Sequence, residues 1–510
     1  MSSSPHDLRH HRPRRAGLRA WLGLVVLCLP TALLALDMSV LYLALPHLAS
    51  ALSTDAAQEL WILDVYPLML AVFLVPMGGL GDRIGRRRLL LTGAAAFAVV
   101  SVVAALSTNA GTLIAARAVL GVAGATLMPS TLALISALFP APHRRRIAIA
   151  VWTSAFMTGF AVGPLLGGAL LRVWWWGAVF LPAVVVMGLL LVLGPLVLPE
   201  HRPPRATRPD PPSVALFLAA ALPGMYGIKQ LGNDGVTGPT LAMISLAALA
   251  CLVFTHRQHR LAAPLLDPRM LLRRTFGTAL LLLLVGSALV SGITLFVPQY
   301  LQLVHGLDPL EAGALVVPAA IGLVIGALLA PLATRRLAPG SVIAAGLVVA
   351  CAGFLVIAHG ATLGPAWVVA GLVTVYLGSG PFDALGTDLV VSAASQDEAG
   401  VAGAVSETVT ELGTAVGIAV LGSLGAAVYG HRAAAELPPG LPAEVSTAAS
   451  ESLSSAAALG PDHATAIREA TGRAFSTGVQ TAAVAAAAVA LVLAVLAVWL
   501  LRRADRSPQL

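Results

Sequence analysis

Cysteine, lysine and charge are all scarce in this sequence of 510 residues. Its three cysteines, Cys28, Cys251 and Cys351, lie far apart in apolar runs, so the sequence supports neither a disulfide framework nor a metal-binding cysteine cluster. No GxxxxGK(S/T) phosphate-binding loop occurs, which excludes ATP hydrolysis of that type as an energy source. Only 11% of the residues are charged and 58% are hydrophobic, so a single soluble core could not bury the apolar surface.

Long apolar runs recur along nearly the whole chain, and each is long enough to cross about 30 Å of hydrocarbon. The runs are continuous and not alternating, so the sequence predicts an all-α polytopic membrane protein and not a β-barrel. The first run follows a basic arm, but it lacks a cleavage site and is interpreted as helix 1. We predict fourteen spans at about 20–46, 58–80, 88–106, 111–139, 147–171, 177–197, 212–231, 238–255, 275–303, 309–333, 341–359, 366–391, 401–429 and 474–501.

The placement of arginine predicts the orientation of these spans. With the N-terminus inside, the cytoplasmic segments hold 25 of the 31 Lys and Arg residues, as the positive-inside rule requires. Both termini are therefore predicted to be cytoplasmic. The net charge of +7 reflects this topology and is no argument for nucleic-acid binding.

The order six spans, two spans, six spans indicates two halves with a pathway between them. A polar loop at about 430–473 is predicted to be external, and a structural spacer is expected there rather than a binding domain. The predicted divisions are a basic cytoplasmic arm at 1–19, a six-helix bundle at 20–198, cytoplasmic linkers with two additional helices at 199–274, a second six-helix bundle at 275–502 and a cytoplasmic tail at 503–510.

The stretch GGLGDRIGRRRLLL (78–91) lies between helices 2 and 3. Topology alone would explain its arginines, but not its glycines and aspartate. The stretch resembles the loop signature of the major facilitator superfamily, and the resemblance implies a charge latch between the halves that opens and closes during transport. The matching residues are Gly78, Leu80, Asp82, Arg83, Gly85, Arg86 and Arg87.

The stretch GFAVGPLLGGAL (159–170) places glycine at every fourth position of helix 5. Glycine on one face lets helices approach closely, and proline bends a helix. Generic tight packing would account for the glycines alone. The complete pattern resembles the helix-5 antiporter signature of the same superfamily, which implies export rather than import. It consists of Gly159, Gly163, Pro164, Gly167 and Gly168.

Two further stretches narrow the resemblance. LDMSVLYLALP (36–46) is similar to the helix-1 signature of the fourteen-span drug:proton antiporter branch. The stretch WILDVYPLMLA (61–71) contains Trp61, Asp64 and Tyr66. With these residues it resembles the corresponding stretch of quaternary-ammonium and antiseptic efflux pumps of the QacA and SmvA type. The family's acid in helix 10 has no counterpart in 313–329, which weakens the argument for divalent cations.

Ionisable residues inside the spans are the candidate machinery for proton coupling, because burial disfavours the charged form of a carboxyl group. Asp37 and Arg117 lie at comparable depth by residue count, so we expect them to be partners. A purely structural pair is one alternative, and an Arg117 that reaches out to the membrane surface is another. The predicted coupling residues are Asp37, Arg117, Glu411, Glu407 and Asp383, while Asp388 is near a helix end and fits an interfacial cap.

A carboxylate beside aromatic rings suits a lipophilic cation, because the rings attract positive charge and the acid neutralises it. An interfacial aromatic belt is the alternative role for Trp61. The predicted substrate-binding residues are Asp64, Asp37, Trp61, Tyr66 and Glu411.

Together these features predict a non-enzymatic, proton-coupled multidrug antiporter in the bacterial cytoplasmic membrane. It is expected to be a monomer that exports cationic lipophilic compounds, with protons as the coupling ion and no other cofactor. Its partners would be substrate, protons and the lipid bilayer. The alternative is an exporter of an endogenous metabolite or antibiotic, neutral or anionic, in which the acids serve coupling only. A membrane enzyme or sensor lacks support, since neither a nucleophile elbow nor a soluble catalytic domain is present.

Overall fold

The computed structural model describes residues 17–200, 210–261, 264, 268–393, 399–438, 441–451, 453–457 and 464–504. Fourteen helices in these ranges are long and apolar enough to cross a membrane, which confirms the predicted number. They are α1 Leu18–Leu52, α2 Ala56–Ile84, α3 Arg86–Ala105, α4 Ala110–Leu138, α5 Pro142–Val173, α6 Leu181–Val197, α7 Pro211–Asp234, α8 Gly238–Arg260, α9 Arg274–Val304, α10 Pro309–Ala333, α11 Pro339–Leu363, α12 Pro365–Ser392, α13 Ala399–Glu436 and α14 Ala464–Ala504.

Local sequence explains several helix ends. The Asp55 side chain accepts a hydrogen bond from the Gln58 backbone N–H, and the Gln58 side chain accepts one from the Asp55 N–H, which forms a capping box at the start of α2. Asp308 and Glu311 form the same motif at the start of α10. Gly85 separates α2 from α3 with φ of 109°, a conformation that favours glycine.

The segment predicted as a loop at about 430–473 is largely helical in its described parts. The α13 helix continues to Glu436, two short helices follow at Ala443–Glu451 and Leu453–Ala457, and α14 begins at Ala464. The Tyr429 hydroxyl donates a hydrogen bond to the Ala449 carbonyl at 2.6 Å, which holds the first short helix against α13. Alanine has the highest helix propensity, so a polar, alanine-rich segment can be helical outside the apolar region.

The long helices pack in two groups. Helices α1–α6 contact mainly one another, as do α9–α14, and the groups meet where α2 packs on α13 and α5 packs on α10. The remaining helices, α7 and α8, pack on each other, and α7 also contacts α2 and α13. An ion pair of 2.8 Å between Arg257 and Asp210 joins α8 to the start of α7. The hydrogen bond from Arg257 holds the pKa of Asp210 below its ordinary value.

Two close contacts between the groups lie at one end of the molecule. We call the end that carries the 83–88 loop and the 144–146 arginines the arginine-rich end. At the opposite end, Gly168 of α5 lies against the backbone at Pro309 and Leu310. There the Gln302 Nε2 also donates to the Leu43 carbonyl at 2.9 Å, across the two groups.

Candidate functional site

A buried ion pair joins α1 to α4. The Arg117 Nη1 donates to the Asp37 Oδ2 at 2.6 Å, and the Arg117 Nε donates to the Ile62 carbonyl at 3.2 Å. The Arg117 guanidinium also lies 4.4 Å from the centre of the Tyr66 ring. Asp37 is 3% exposed and Arg117 is 2% exposed. The contact expected between the two residues is therefore present, and Arg117 does not reach the membrane surface.

Glycine on α4 lets α2 lie close to this pair. A Cβ atom at Gly121 would lie only 2.5 Å from the Tyr66 carbonyl oxygen, so α2 and α4 could not approach as closely with a larger residue there. The close approach places the Tyr66 ring beside Arg117, one turn earlier on α4. The Tyr66 hydroxyl is buried and has no hydrogen-bond partner among the described residues.

A second buried ion pair joins α2 to α7. The Lys229 Nζ lies 2.9 Å from Oδ1 and 2.8 Å from Oδ2 of Asp64, and it stands 3.4 Å from the centre of the Trp61 ring. Asp64 is 0% exposed and Lys229 is 2% exposed. Lys229 is not among the predicted site residues. The signal was present, because a lysine inside an apolar span, even close to its end, needs a partner when it is buried.

The expected aromatic surroundings of Asp64 are only partly present. Trp61 and Asp64 are three residues apart and share the face of α2 that contacts α7. Tyr66 is two residues beyond Asp64, about 200° around the helix axis, and it faces Arg117 on α4. Helical periodicity therefore separates the two rings, and the assignment of both to substrate binding stays a prediction.

The second helix group contributes three acids. Glu411 on α13 is 4% exposed, and its Oε2 has no hydrogen-bond partner within the described part of the chain. Glu407, one turn away, and Asp383 on α12 are half-buried. Glu411 lies close enough to Glu407 for their charges to repel each other, and the same holds for Glu407 and Asp383. Asp388 is exposed, which fits the expected cap.

A small cavity lies between the two groups. Its wall is mostly aliphatic, with a smaller number of aromatic rings and hydroxyl groups, and the five predicted substrate-binding residues do not line it. Tyr42, in the cavity wall, lies within electrostatic range of Glu411, Arg117 and Asp64. The wall is formed by Ser39, Tyr42, Leu43, Phe160, Ala161, Pro164, Thr294, Pro298, Val316, Val317, Ala319, Ala320 and Tyr376.

The glycines of the antiporter signature pack against two different helices. Cβ atoms at Gly159, Gly163 and Gly167 would overlap Ala32, Ser39 and Val40 of α1, respectively. Their face therefore holds α5 tightly against the helix that carries Asp37. Gly168 points elsewhere and meets α10. Pro164 also faces α10, where a Cβ at Gly313 would overlap its backbone.

The loop between α2 and α3 keeps its described ion pairs within the first group. Asp82 pairs with Arg86 at 2.5 Å, and the Arg87 Nη1 donates to the Leu198 carbonyl at 3.0 Å. Arg83 is exposed, and Gly78 is half-buried. Residues 394–398, between α12 and α13 in the sequence, lie outside the described residues. A latch between the groups remains a prediction.

The sequence model of the Major Facilitator Superfamily matches residues 27–418 of this chain. The chain belongs to the Major Facilitator Superfamily. This facilitator is 42% identical to the multidrug efflux pump LfrA of Mycolicibacterium smegmatis, with 94% of this chain and 95% of LfrA covered. It is 33% identical to the methyl viologen resistance protein SmvA of Salmonella typhimurium, with 96% and 99% covered. It is 32% identical to the tetracenomycin C resistance and export protein of Streptomyces glaucescens, with 98% and 96% covered.

The solved structures agree on the fold. An inward-facing, unoccupied bacterial homolog of the human lysosomal transporter Spinster has a TM-score of 0.67 and 16% identity, with 96% of this facilitator and 99% of that chain covered. Family and fold together make this facilitator a secondary transporter of small molecules and not an enzyme. Its fourteen apolar helices and its relatives place it in the bacterial plasma membrane as a multi-pass protein.

Proposed function

We propose that this facilitator is a proton-coupled efflux antiporter for lipophilic cations. Two relatives support export of drugs in general, because one is named as a multidrug efflux pump and the other for resistance to methyl viologen, an organic cation. The buried acids support the cationic class. Five of the six predicted intramembrane acids are buried or half-buried at helices that line or flank the junction of the two groups.

Glu411 is the observation that carries the proposal. A buried carboxyl group without a partner is stable when it is neutral or when a cation neutralises it. Asp37 and Asp64 each have an internal cation, whereas Glu411 has none among the described residues. Glu411 is therefore the acid at which a proton and a cationic substrate would compete. Such competition is sufficient for antiport, since binding of one excludes the other.

The contacts between the two groups indicate from which side of the membrane the substrate would enter. If the arginine-rich end is assigned to the cytoplasm by the positive-inside rule, the contacts between the groups close the external end. In this state a cation from the cytoplasm or the inner leaflet would enter and take the place of the proton at Glu411. The groups would then rock, and external protons would displace the cation outward.

The test is ethidium efflux from proteoliposomes with an imposed pH gradient. We expect efflux that depends on the gradient and stops when a protonophore is added. The Glu411→Gln variant should lose at least about tenfold in rate, equivalent to about 1.4 kcal/mol, because its amide cannot exchange a proton. The exposed acid Asp388 supplies the matched control, and Asp388→Asn should keep the native rate. Gradient-independent efflux, or a native rate in Glu411→Gln, would refute the proposal.

Export of a neutral or anionic metabolite is the second candidate. The cavity wall favours a neutral compound, because the residues that line the cavity carry no charge. One relative is also named for resistance to and export of tetracenomycin C. Under this alternative, the same pH gradient would drive export of a neutral polycyclic compound by the native protein. Ethidium would not be transported.

A further inference from the structure

The pair between Lys229 and Asp64 has the composition of a cation-binding site with its cation already present. Both carboxylate oxygens of Asp64 are within 3 Å of the Lys229 Nζ, and the Trp61 ring covers the same ammonium group. A carboxylate and an aromatic face are the groups that recognise organic ammonium ions. The cation in this site comes from the protein itself.

The helix that brings this cation belongs to neither six-helix group. Lys229 lies on α7, and α7 packs against α2 of the first group and α13 of the second. Met225, one turn before Lys229, shares an apolar cluster with Leu68 of α2 and Ala415 of α13. Glu411 is one turn before Ala415 on α13. The lysine therefore enters at the seam between the groups, whose packing must change when the groups rock.

Lysine is suited to leaving such a site. Its ammonium group is a compact charge on a flexible four-carbon stem, and it does not form the fixed two-point contact that arginine makes with a carboxylate. The two buried pairs of this protein differ in this respect. Arg117 is held by Asp37, the Ile62 carbonyl and the Tyr66 ring. The hydrogen bonds, ion pairs and ring contacts that the structure describes for Lys229 involve only Asp64 and the Trp61 ring.

We infer that Lys229 is a tethered competitor for the cationic substrate. It neutralises Asp64 while the site is empty of substrate, and an incoming lipophilic cation takes its place on Asp64 and Trp61. The displaced ammonium group returns when the substrate leaves, so Asp64 is never buried without a counter-charge. Lys229 is thus a specificity-determining residue, because only a substrate that is itself a cation can replace it. The inference rests on the proposed function, in which the substrate is a cation.

Binding of ethidium to the purified protein tests the inference. Lys229→Met removes the charge with little change in length, so Asp64 becomes available to the substrate. We expect ethidium to bind about tenfold more tightly, equivalent to about 1.4 kcal/mol. The double variant Asp64→Asn with Lys229→Met should lose this gain, and Lys229→Arg should not show it. Arg257→Gln is the matched control, because it breaks a different ion pair, the one between α8 and Asp210 at the start of α7, and should leave the affinity unchanged.

A second measurement uses the native protein, in case Lys229→Met does not fold. Lys229 is the only lysine of the chain, so an amine-reactive label can modify only this side chain and the N-terminus, which peptide mapping separates. We expect ethidium to raise the labelling rate of Lys229 at least about threefold, since displacement frees the ammonium group from the buried pair. A labelling rate that ethidium does not change, or a Lys229→Met variant that binds ethidium no more tightly, overturns the inference and makes Lys229 a structural link between α7 and α2. If the native protein neither binds nor exports ethidium, the proposed function fails instead.

Discussion

Ethidium efflux by the Arg117→Gln variant is expected to fall to background, and the variant is expected to melt at a lower temperature than the native protein. The substitution leaves Asp37 buried at 3% exposure without its cation. It also removes the contacts of Arg117 with the Ile62 carbonyl and the Tyr66 ring. Breaking one partner of a buried ion pair typically costs about 3–5 kcal/mol. Thermal unfolding in detergent and efflux from proteoliposomes measure the two effects.

The double variant Asp37→Asn with Arg117→Gln separates stability from transport. Removing both charges leaves no unpaired ion, so the melting temperature should recover most of its loss. Transport should not recover if the pair belongs to the coupling machinery. Arg172→Gln is the matched control, because Arg172 is an exposed arginine on α5. Restored efflux in the double variant would show that the pair is purely structural.

The Gly168→Leu variant is expected to fold but to lose transport. A Cβ at Gly168 would lie 2.5 Å from the Pro309 carbonyl oxygen and 2.6 Å from the Leu310 Cα. These are backbone atoms, so they cannot move aside as a flexible side chain would. The contact joins the two helix groups and is not part of the core of either, so its loss should prevent closure at this end without unfolding the groups.

Spin labels at the ends of α5 and α10 can follow this closure. The labels would be attached to cysteines introduced at Val173 and Leu315, in a chain without its three native cysteines. The distance between the two labels reports the separation of the two groups. We expect a longer distance in Gly168→Leu than in the native sequence. Gly188→Leu is the control, because nothing lies within 4 Å of a Cβ at Gly188. An unchanged distance in Gly168→Leu would contradict the predicted block.

The sequence alone determined the fold class, the number and order of the spans, and the pairing of Asp37 with Arg117. Each depends on a local property: the length of an apolar run decides whether it can cross a bilayer, and residue counting from the helix ends gives depth. The same local reasoning failed at about 430–473, where polarity excluded a membrane span but could not exclude helix. It also grouped Trp61 with Tyr66, although their spacing places them on different faces of α2.

The tertiary structure decided which helices meet. Asp64 and Lys229 are 165 residues apart, and no local pattern states that α7 packs beside α2. The same holds for Gly163 and Gly168, which share one signature but face α1 and α10, respectively. A sequence pattern shows which face of a helix is small, apolar or charged, whereas the partner of that face depends on how all fourteen helices pack together. At Asp64 the partner is Lys229, and it neutralises a carboxylate that the sequence alone shows without a counter-charge.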